Sequence, residues 1–276
     1  MTYYLLPKNS INLHNHVNLT FDDDPPNISL SFSLAQYLSN MKDKIDSHST
    51  EWDNTKKFTN PYEFIHNIIP GKNKSVSKHK PLSRSYFKMI EIYHLLKLNF
   101  NSEPISTFHL AEGPGGFIEA IVDIRKNTSD RYIGMTLIND DDVNIPGWKK
   151  SNHFLNKNTN VSLEYGSTKD GNLLNIDNFD YCFNKYGHSI DIITADGGFD
   201  FSHDFSMQEI NISQLLFAQI AYAIIMQKNK GCFILKIFDS FMQHTIDLLA
   251  LLSSFYEKVY IVKPNTSRHA NSEKYI

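Results

Sequence analysis

The chain has 276 residues, a formal net charge of −3 and 21% charged residues. Hydrophobic residues make up 41%, which fits one large globular domain, or one domain with an extension, and excludes a disordered chain. The charge balance excludes nucleic-acid binding through bulk positive charge but leaves room for a local basic patch.

Residues 1–8 show no basic segment followed by an apolar one, so no secretory leader is expected. Ser31 to Met41 predicts an amphipathic helix. Asn60-Pro61 reads as a helix start, with Asn60 as N-cap and Pro61 in the first turn. Between Gly71 and Arg84 the cations Lys72, Lys74, Lys78, Lys80 and Arg84 gather without a carboxylate, the pattern of a solvated loop. The character of the chain changes near residue 80. Tyr86 to Leu98 has helical apolar spacing, Ser106 to Ala111 reads as a strand, and Phe117 to Ile124 as a helix. Strands are predicted over Arg131–Leu137, Ile190–Ala195, Cys232–Phe238 and Glu257–Val262, and helices over Met207–Met226 and Phe241–Phe255. Strands alternating with helices imply an α/β fold, a mostly parallel sheet with helices on both faces. The apolar run Leu215–Met226 is broken by Gln219 and is shorter than the about 20 residues a bilayer span needs. Cys182 and Cys232 cannot build a disulfide framework, and no histidines stand at zinc-ligand spacing from them. Reduced thiols of an intracellular protein are expected, with no metal.

Glu112-Gly113-Pro114-Gly115-Gly116-Phe117 follows the first of these strands and opens a helix. Glycines there allow positive φ and a close approach of backbone to a ligand, where open α/β sheets bind nucleotides. The turn lacks the Gly-Lys-Ser/Thr of a Walker loop, and the dinucleotide fingerprint fails at Ile118. It reads either as a tight structural turn or as a seat for a small zwitterion, such as the methionine part of S-adenosylmethionine.

Four charged residues are candidates for chemistry. Asp196 ends an apolar strand and precedes two glycines that clear space around it. Lys236 lies inside an apolar strand, where a lysine is rarely buried without a partner. Glu273 follows a polar run, and Lys88 lies on the helix from Tyr86. Converging above the strand ends, two lysines and two carboxylates need no metal, and mutual repulsion lowers a lysine pKa toward neutrality. Such a lysine is a general base suited to a ribose hydroxyl.

Leu82-Ser-Arg-Ser-Tyr-Phe-Lys88 resembles the SRxxxK opening of FtsJ-like RNA 2′-O-ribose methyltransferases. Leu110 to Phe117, Gly134-Met-Thr-Leu137 and Ala195-Asp-Gly-Gly-Phe199 extend the likeness. Lys263-Pro-Asn-Thr-Ser-Arg-His-Ala-Asn-Ser-Glu-Lys-Tyr275 is similar to the KPxxSRxxNSExY segment of eukaryotic and viral mRNA cap 2′-O-methyltransferases. Asn60-Pro-Tyr-Glu63 matches a segment that precedes their catalytic domain. The resemblance covers residues 52–276 and implies a Rossmann-like S-adenosylmethionine-dependent methyltransferase domain over 81–276, with 1–80 as an extension for cap or RNA binding, or packing.

The same resemblance implies that Lys88, Asp196, Lys236 and Glu273 form the family's catalytic tetrad. It implies that Ser83, Glu112, Gly113, Pro114, Gly115, Gly116, Phe117, Asp170, Gly171, Asn172, Leu173 and Asp196 hold S-adenosylmethionine. Lys56, Arg84, Ser206, Met207, Gln208, Ser267, Arg268 and Asn271 would meet cap and RNA, and the basic run 71–84 then becomes a phosphate-contacting surface. The implied substrate is capped mRNA, methylated on the first transcribed nucleotide. Other capping or transcription proteins are implied as partners, no membrane is, and the setting is the nucleus or cytoplasm of a eukaryotic, or virus-infected, cell, or a virion. An rRNA or tRNA ribose methyltransferase and an inactive RNA-binding subunit are the competing readings. The turn departs from the family at Ala111-Glu112, the stretch from Asn60 to Arg84 is longer than usual, and Ile276 falls inside the strand expected to carry Glu273, so that strand is short or the sequence is truncated.

Overall fold

The computed structural model describes residues 2–10, 13, 17–18, 30–98, 103–139, 142, 145–198 and 208–276. Within them, strands β1 (Thr2–Leu5), β2 (Ser106–Leu110), β3 (Arg131–Met135), β4 (Val161–Glu164), β5 (Ile190–Ala195), β6 (Gln227–Ile237), β7 (Tyr260–Lys263) and β8 (Lys274–Tyr275) form one sheet, in the order β1-β7-β8-β6-β5-β2-β3-β4. The pairs from β6 through β4 are parallel. The pairs β6–β8, β8–β7 and β7–β1 are antiparallel. β2, β3 and β4 run toward one edge and β5 and β6 toward the other. The chain therefore reverses direction across the sheet between β2 and β5, the crevice where open α/β sheets bind ligands.

Alternation along the strands feeds two cores. Phe108, Leu110, Ile193, Ala195 and Leu235 pack on α6 (Ile176–Tyr186), α8 (Ser213–Met226) and α9 (Gln243–Phe255). Ile192 and Ile234 face the other way, toward α3 (Ser85–Leu95), α4 (Gly116–Arg125) and α5 (Asn152–Lys157). Both faces of the sheet are covered, as the near-continuous apolar strands require.

The N-terminal region is joined to this body. β1 adds a strand to the sheet edge although all four of its side chains are exposed, which left it without a sequence signal. α1 (Phe32–Asp46) extends the expected 31–41 helix and docks near the end of β6, where Lys42 Nζ meets Asp239 Oδ2 at 3.0 Å. The polar α2 (Ser49–Phe58) follows it. The helix expected from Asn60 shrinks to one 3-10 turn, Glu63–Ile65. Its Asn60 Nδ2 donates to the Glu63 carboxylate instead of only capping backbone, and Pro70 disfavours helix before it. The predicted 207–226 helix is interrupted at Ile212 into α7 (Gln208–Asn211) and α8.

Candidate active site

Three turns meet where the sheet reverses. The first leaves β2 through Ala111, whose φ of 51° is left-handed, and continues through the 112–117 turn. Its glycines are required by the protein itself. Gly115 has φ 109°, open to glycine at little cost. A Cβ on Gly116 would lie 2.1 Å from Ser83 Oγ and 2.2 Å from Ser85 Oγ, and one on Gly113 2.5 Å from the Gly147 carbonyl oxygen. The close approach read from sequence as an approach to a ligand is thus made first to neighbouring loops. It seats Ser83 directly against the turn. Trp148 packs over the turn, and Ser151 Oγ donates to the Pro114 carbonyl at 2.6 Å.

Glu112, buried, accepts the Phe117 and Ile118 amides at 2.7 and 3.1 Å on Oε1, so it caps α4. Burial, then the nearby Asp196 charge, pushes its pKa up to about 8, against the two amides and Lys236. The second turn, 170–173, is held against the end of β3: Ile138 N donates to the Asp170 carbonyl at 2.7 Å, and a Cβ on Gly171 would overlap the Thr136 carbonyl oxygen. Asp170 Oδ1 accepts from Thr168 Oγ1, Asn172 N and Asn178 Nδ2, so this carboxylate builds the turn. Leu173 is buried in the core behind it.

The third turn follows β5. Asp196 lies just past its end. Lys236 Nζ donates to the Asp196 carbonyl at 2.7 Å and stands 3.4 Å from its Oδ1. Gly198 leaves room for that amine, since a Cβ there would come 3.1 Å from Nζ. Register places Tyr275 of β8 directly opposite Lys236 of β6. The buried Tyr275 hydroxyl donates to Asp196 Oδ1 at 2.8 Å, and Lys88 Nζ lies 5.9 Å from the centre of its ring. Lys88 in turn pairs with Glu273, 2.8 Å from each carboxylate oxygen. Ser267 Oγ donates to Glu273 Oε1 at 2.8 Å. Burial pushes Glu273 up, but Lys88, Lys236 and the bonds from Lys88 and Ser267 outweigh it and bring it down to about 2. Glu273 precedes β8 rather than lying on it, because β8 is only Lys274–Tyr275.

The four charged candidates therefore come together as two ion pairs, Lys88–Glu273 and Lys236–Asp196, joined through Tyr275. Sequence reasoning did not single out Tyr275; its signal was its place two residues after Glu273 in the NSExY segment. It also missed Lys263, which fastens that segment by donating to Asn271 O, Asn271 Oδ1 and Glu273 O at 2.7–2.8 Å. Burial lowers this amine to about 8.

The residues expected to meet cap and RNA fare differently. Arg84 directs Nη1 to Glu63 at 2.7 Å and Nε and Nη2 to the Thr266 carbonyl, and Arg268 grips Glu63 with Nε and Nη2. Both guanidiniums are engaged by Glu63, Arg84 largely buried and Arg268 with 40% of its side chain still exposed. Lys72, Lys74, Lys78 and Lys80 remain exposed, while His79 Nε2 sits 3.3 Å from Glu119 Oε1 and fixes the loop to α4. Lys56 lies half-buried on the last turn of α2, and Gln208 opens α7. Ser206 and Met207 lie outside the described residues.

A parallel sheet with a glycine turn after β2, an acid after β5 and an antiparallel strand inserted beside β6 defines a Rossmann-like methyltransferase. The model of the FtsJ-like methyltransferase family matches residues 81–276, and the chain belongs to that family. It is 31% identical over 172 residues, 60% of its length, to "Cap-specific mRNA (nucleoside-2'-O-)-methyltransferase 1" of Drosophila melanogaster. It is 29% identical over 287 residues, 94% of its length, to the protein of that name in Dictyostelium discoideum. A further relative, 27% identical over 59% of the chain, is named "Inactive cap-specific mRNA (nucleoside-2'-O-)-methyltransferase 1B", from Caenorhabditis briggsae. The chain spans 21%, 36% and 19% of these relatives' lengths. The family's methyl donor is S-adenosylmethionine. The site fits that group: at the sheet's switch point the Asp196 carboxylate lies near the buried Glu112 carboxyl, whose raised pKa a ligand carrying an ammonium and a sulfonium would bring down. Among the described residues no helix is long and apolar enough to cross a membrane.

Proposed function

We propose that the chain methylates the ribose 2′-hydroxyl of the first transcribed nucleotide of capped mRNA. The observation that carries this reading is the meeting of Lys88, Asp196, Lys236 and Glu273 around Tyr275, at the end of the sheet where the donor turn also opens. One relative's name calls it inactive, so the charged cluster, rather than family membership, supports activity. Bound S-adenosylmethionine supplies a methyl group activated on a sulfonium. Ser83, the 112–117 turn and the 170–173 turn hold it.

Lys236 Nζ, held by the Asp196 carbonyl, takes the proton of the 2′-hydroxyl as that oxygen becomes a nucleophile. Asp196 Oδ1, fixed by Tyr275, orients the amine. Lys88 and Glu273 form the opposite wall, and the cationic side of the cluster offsets charge developing on the oxygen. The exposed lysines of 71–84 would meet backbone phosphates. For the cap guanine, residues 30–62 expose Phe32, Tyr37, Phe58 and Tyr62, rings able to stack on a base. Residues 1–80 act in this reading as an extension packed on the methyltransferase domain. An intracellular setting among capping or transcription proteins goes with it.

The test is transfer of labelled methyl from S-adenosylmethionine to short RNAs of one sequence, capped and uncapped, followed by nuclease mapping. The expected result is label on the first ribose of the capped RNA alone. Equal labelling of uncapped RNA would favour an rRNA- or tRNA-type enzyme, and no labelling of any RNA would favour an inactive subunit.

A further inference from the structure

We infer that Glu63, outside the segment matched by the family, is a positioning residue that sets the geometry of the Lys88–Glu273 side of the site; the inference rests on the function proposed above. Glu63 is fully buried. Its carboxylate receives five hydrogen bonds: from Arg268 Nε at 3.0 Å and Nη2 at 2.8 Å, Arg84 Nη1 at 2.7 Å, Asn60 Nδ2 at 2.9 Å and Asn67 Nδ2 at 2.6 Å. A buried carboxylate joining two guanidiniums restrains both: Arg268 binds it bidentately, which leaves little freedom of rotation, and Arg84 is pinned between it and the Thr266 carbonyl.

Each guanidinium leads to the site by a short covalent or hydrogen-bonded path. Arg84 immediately precedes α3, which carries Lys88 one turn further on. Its other nitrogens hold the Thr266 carbonyl at 2.8 and 3.2 Å. Glu91, also on α3, accepts the Asn265 and Thr266 amides at 2.7 and 2.8 Å. The 265–268 turn is thereby stitched to α3 from both ends, and Arg268 closes it. The residue inside that turn is Ser267, whose hydroxyl holds Glu273. Glu63 thus braces the start of α3 and the turn beside Glu273 at once, so it governs the distance between the two members of one ion pair without touching substrate. A carboxylate serving only to fasten residues 60–67 to the surface would need neither two guanidiniums nor burial of both its oxygens.

Glu63→Gln keeps the size of the side chain and removes its charge. Three measurements on the full-length chain decide the matter. The first is single-turnover methyl transfer to capped RNA, at a temperature where circular dichroism shows the variant folded. The second is S-adenosylmethionine affinity by calorimetry. The third needs no activity: amide exchange at Asn265 and Thr266, and the NMR signal of the Lys88 amine. The expected outcome is a rate lower by about tenfold to a hundredfold, donor affinity within about twofold of wild type, faster exchange at Asn265 and Thr266, and a shifted Lys88 signal. A folded variant with wild-type rate, exchange and Lys88 signal, whatever its melting temperature, would overturn the inference. Should the wild-type chain methylate no RNA, the function proposed above fails; unchanged exchange and Lys88 signal would then overturn the positioning role, and changed ones would uphold it.

Discussion

Replacing Tyr275 by Phe removes one oxygen from the centre of the site and little else. The ring that packs 5.8 Å from Phe117 and lies under the Lys88 amine is retained. What disappears is the 2.8 Å hydrogen bond to Asp196 Oδ1. A hydrogen bond to an ionised acceptor contributes about 1.5–3 kcal/mol. If Asp196 is held by Tyr275 in order to aim Lys236, that energy is expressed in the transition state, and the rate falls about tenfold to a hundredfold. If the bond only closes the β6–β8 edge, the same energy is lost from folding and the rate is unchanged. Structure favours the first outcome. With the hydroxyl gone, the cation near Oδ1 is Lys236, now 3.4 Å away, and drawing it in removes its amine from the Asp196 carbonyl. The assay is single-turnover methyl transfer with capped RNA and donor both saturating, paired with a denaturant melt of the same preparation. A rate within about twofold of wild type in a measurably destabilised variant would refute the reasoning.

Three further outcomes are expected. Lys236→Ala should lose about 10²–10⁴-fold in turnover, and Lys236→Arg should not restore it, because a guanidinium does not give up its proton near neutral pH; a fast arginine variant in the same single-turnover assay would limit position 236 to supplying charge. Gly116→Ala should weaken S-adenosylmethionine binding in calorimetry, because its Cβ would strike both Ser83 Oγ and Ser85 Oγ and move the serine loop off the turn, at a cost of about 1–3 kcal/mol; undiminished affinity would remove Ser83 from the donor site. For Glu63, burial pushes the carboxyl up, but Arg268, Asn60 and Arg84 bring it from 4.5 down to about 2. A depressed carboxyl contributes stability above its unfolded value, lost as pH falls through its folded one. Glu63 should therefore add on the order of 3 kcal/mol above pH 4.5 that disappears toward pH 2, and Glu63→Gln should flatten the acid limb of a stability curve measured by denaturant melts from pH 2 to 6.

The central strands were legible because their signals were strong. β5 is six buried residues ended by Asp196 and two glycines, and its predicted and observed bounds coincide. Lys236 stood out by the same logic, a cation inside an otherwise apolar run. The region from Asn152 to Tyr186 gave no comparable signal. β4 alternates only over four residues, with Glu164 buried at its end, and α5 is six residues long. Glu164 is buried because Lys185 and Tyr186 reach it from α6, a partnership that no local pattern contains. Tyr275 escaped notice for the same reason: its importance comes from register, which places it across from Lys236 through an antiparallel strand only two residues long.

The arginines carry a second role beside the one that the family resemblance implies. Arg84 and Arg268 are RNA contacts only by what the family resemblance implies. Here both bind Glu63, and Arg84 also holds Thr266. Their charge still contributes to the field that an RNA phosphate would feel, but all three Arg84 nitrogens, and Nε and Nη2 of the partly exposed Arg268, are directed to protein acceptors. This changes how the role of residues 1–80 has to be tested. A chain beginning at Lys80 would lack Glu63 and leave two guanidiniums beside the site without their counterion, a loss that damages catalysis whether or not the extension touches the cap. Substituting exposed rings such as Phe58 or Tyr62 one at a time leaves that carboxylate in place. Cap affinity and catalytic geometry can then be read separately.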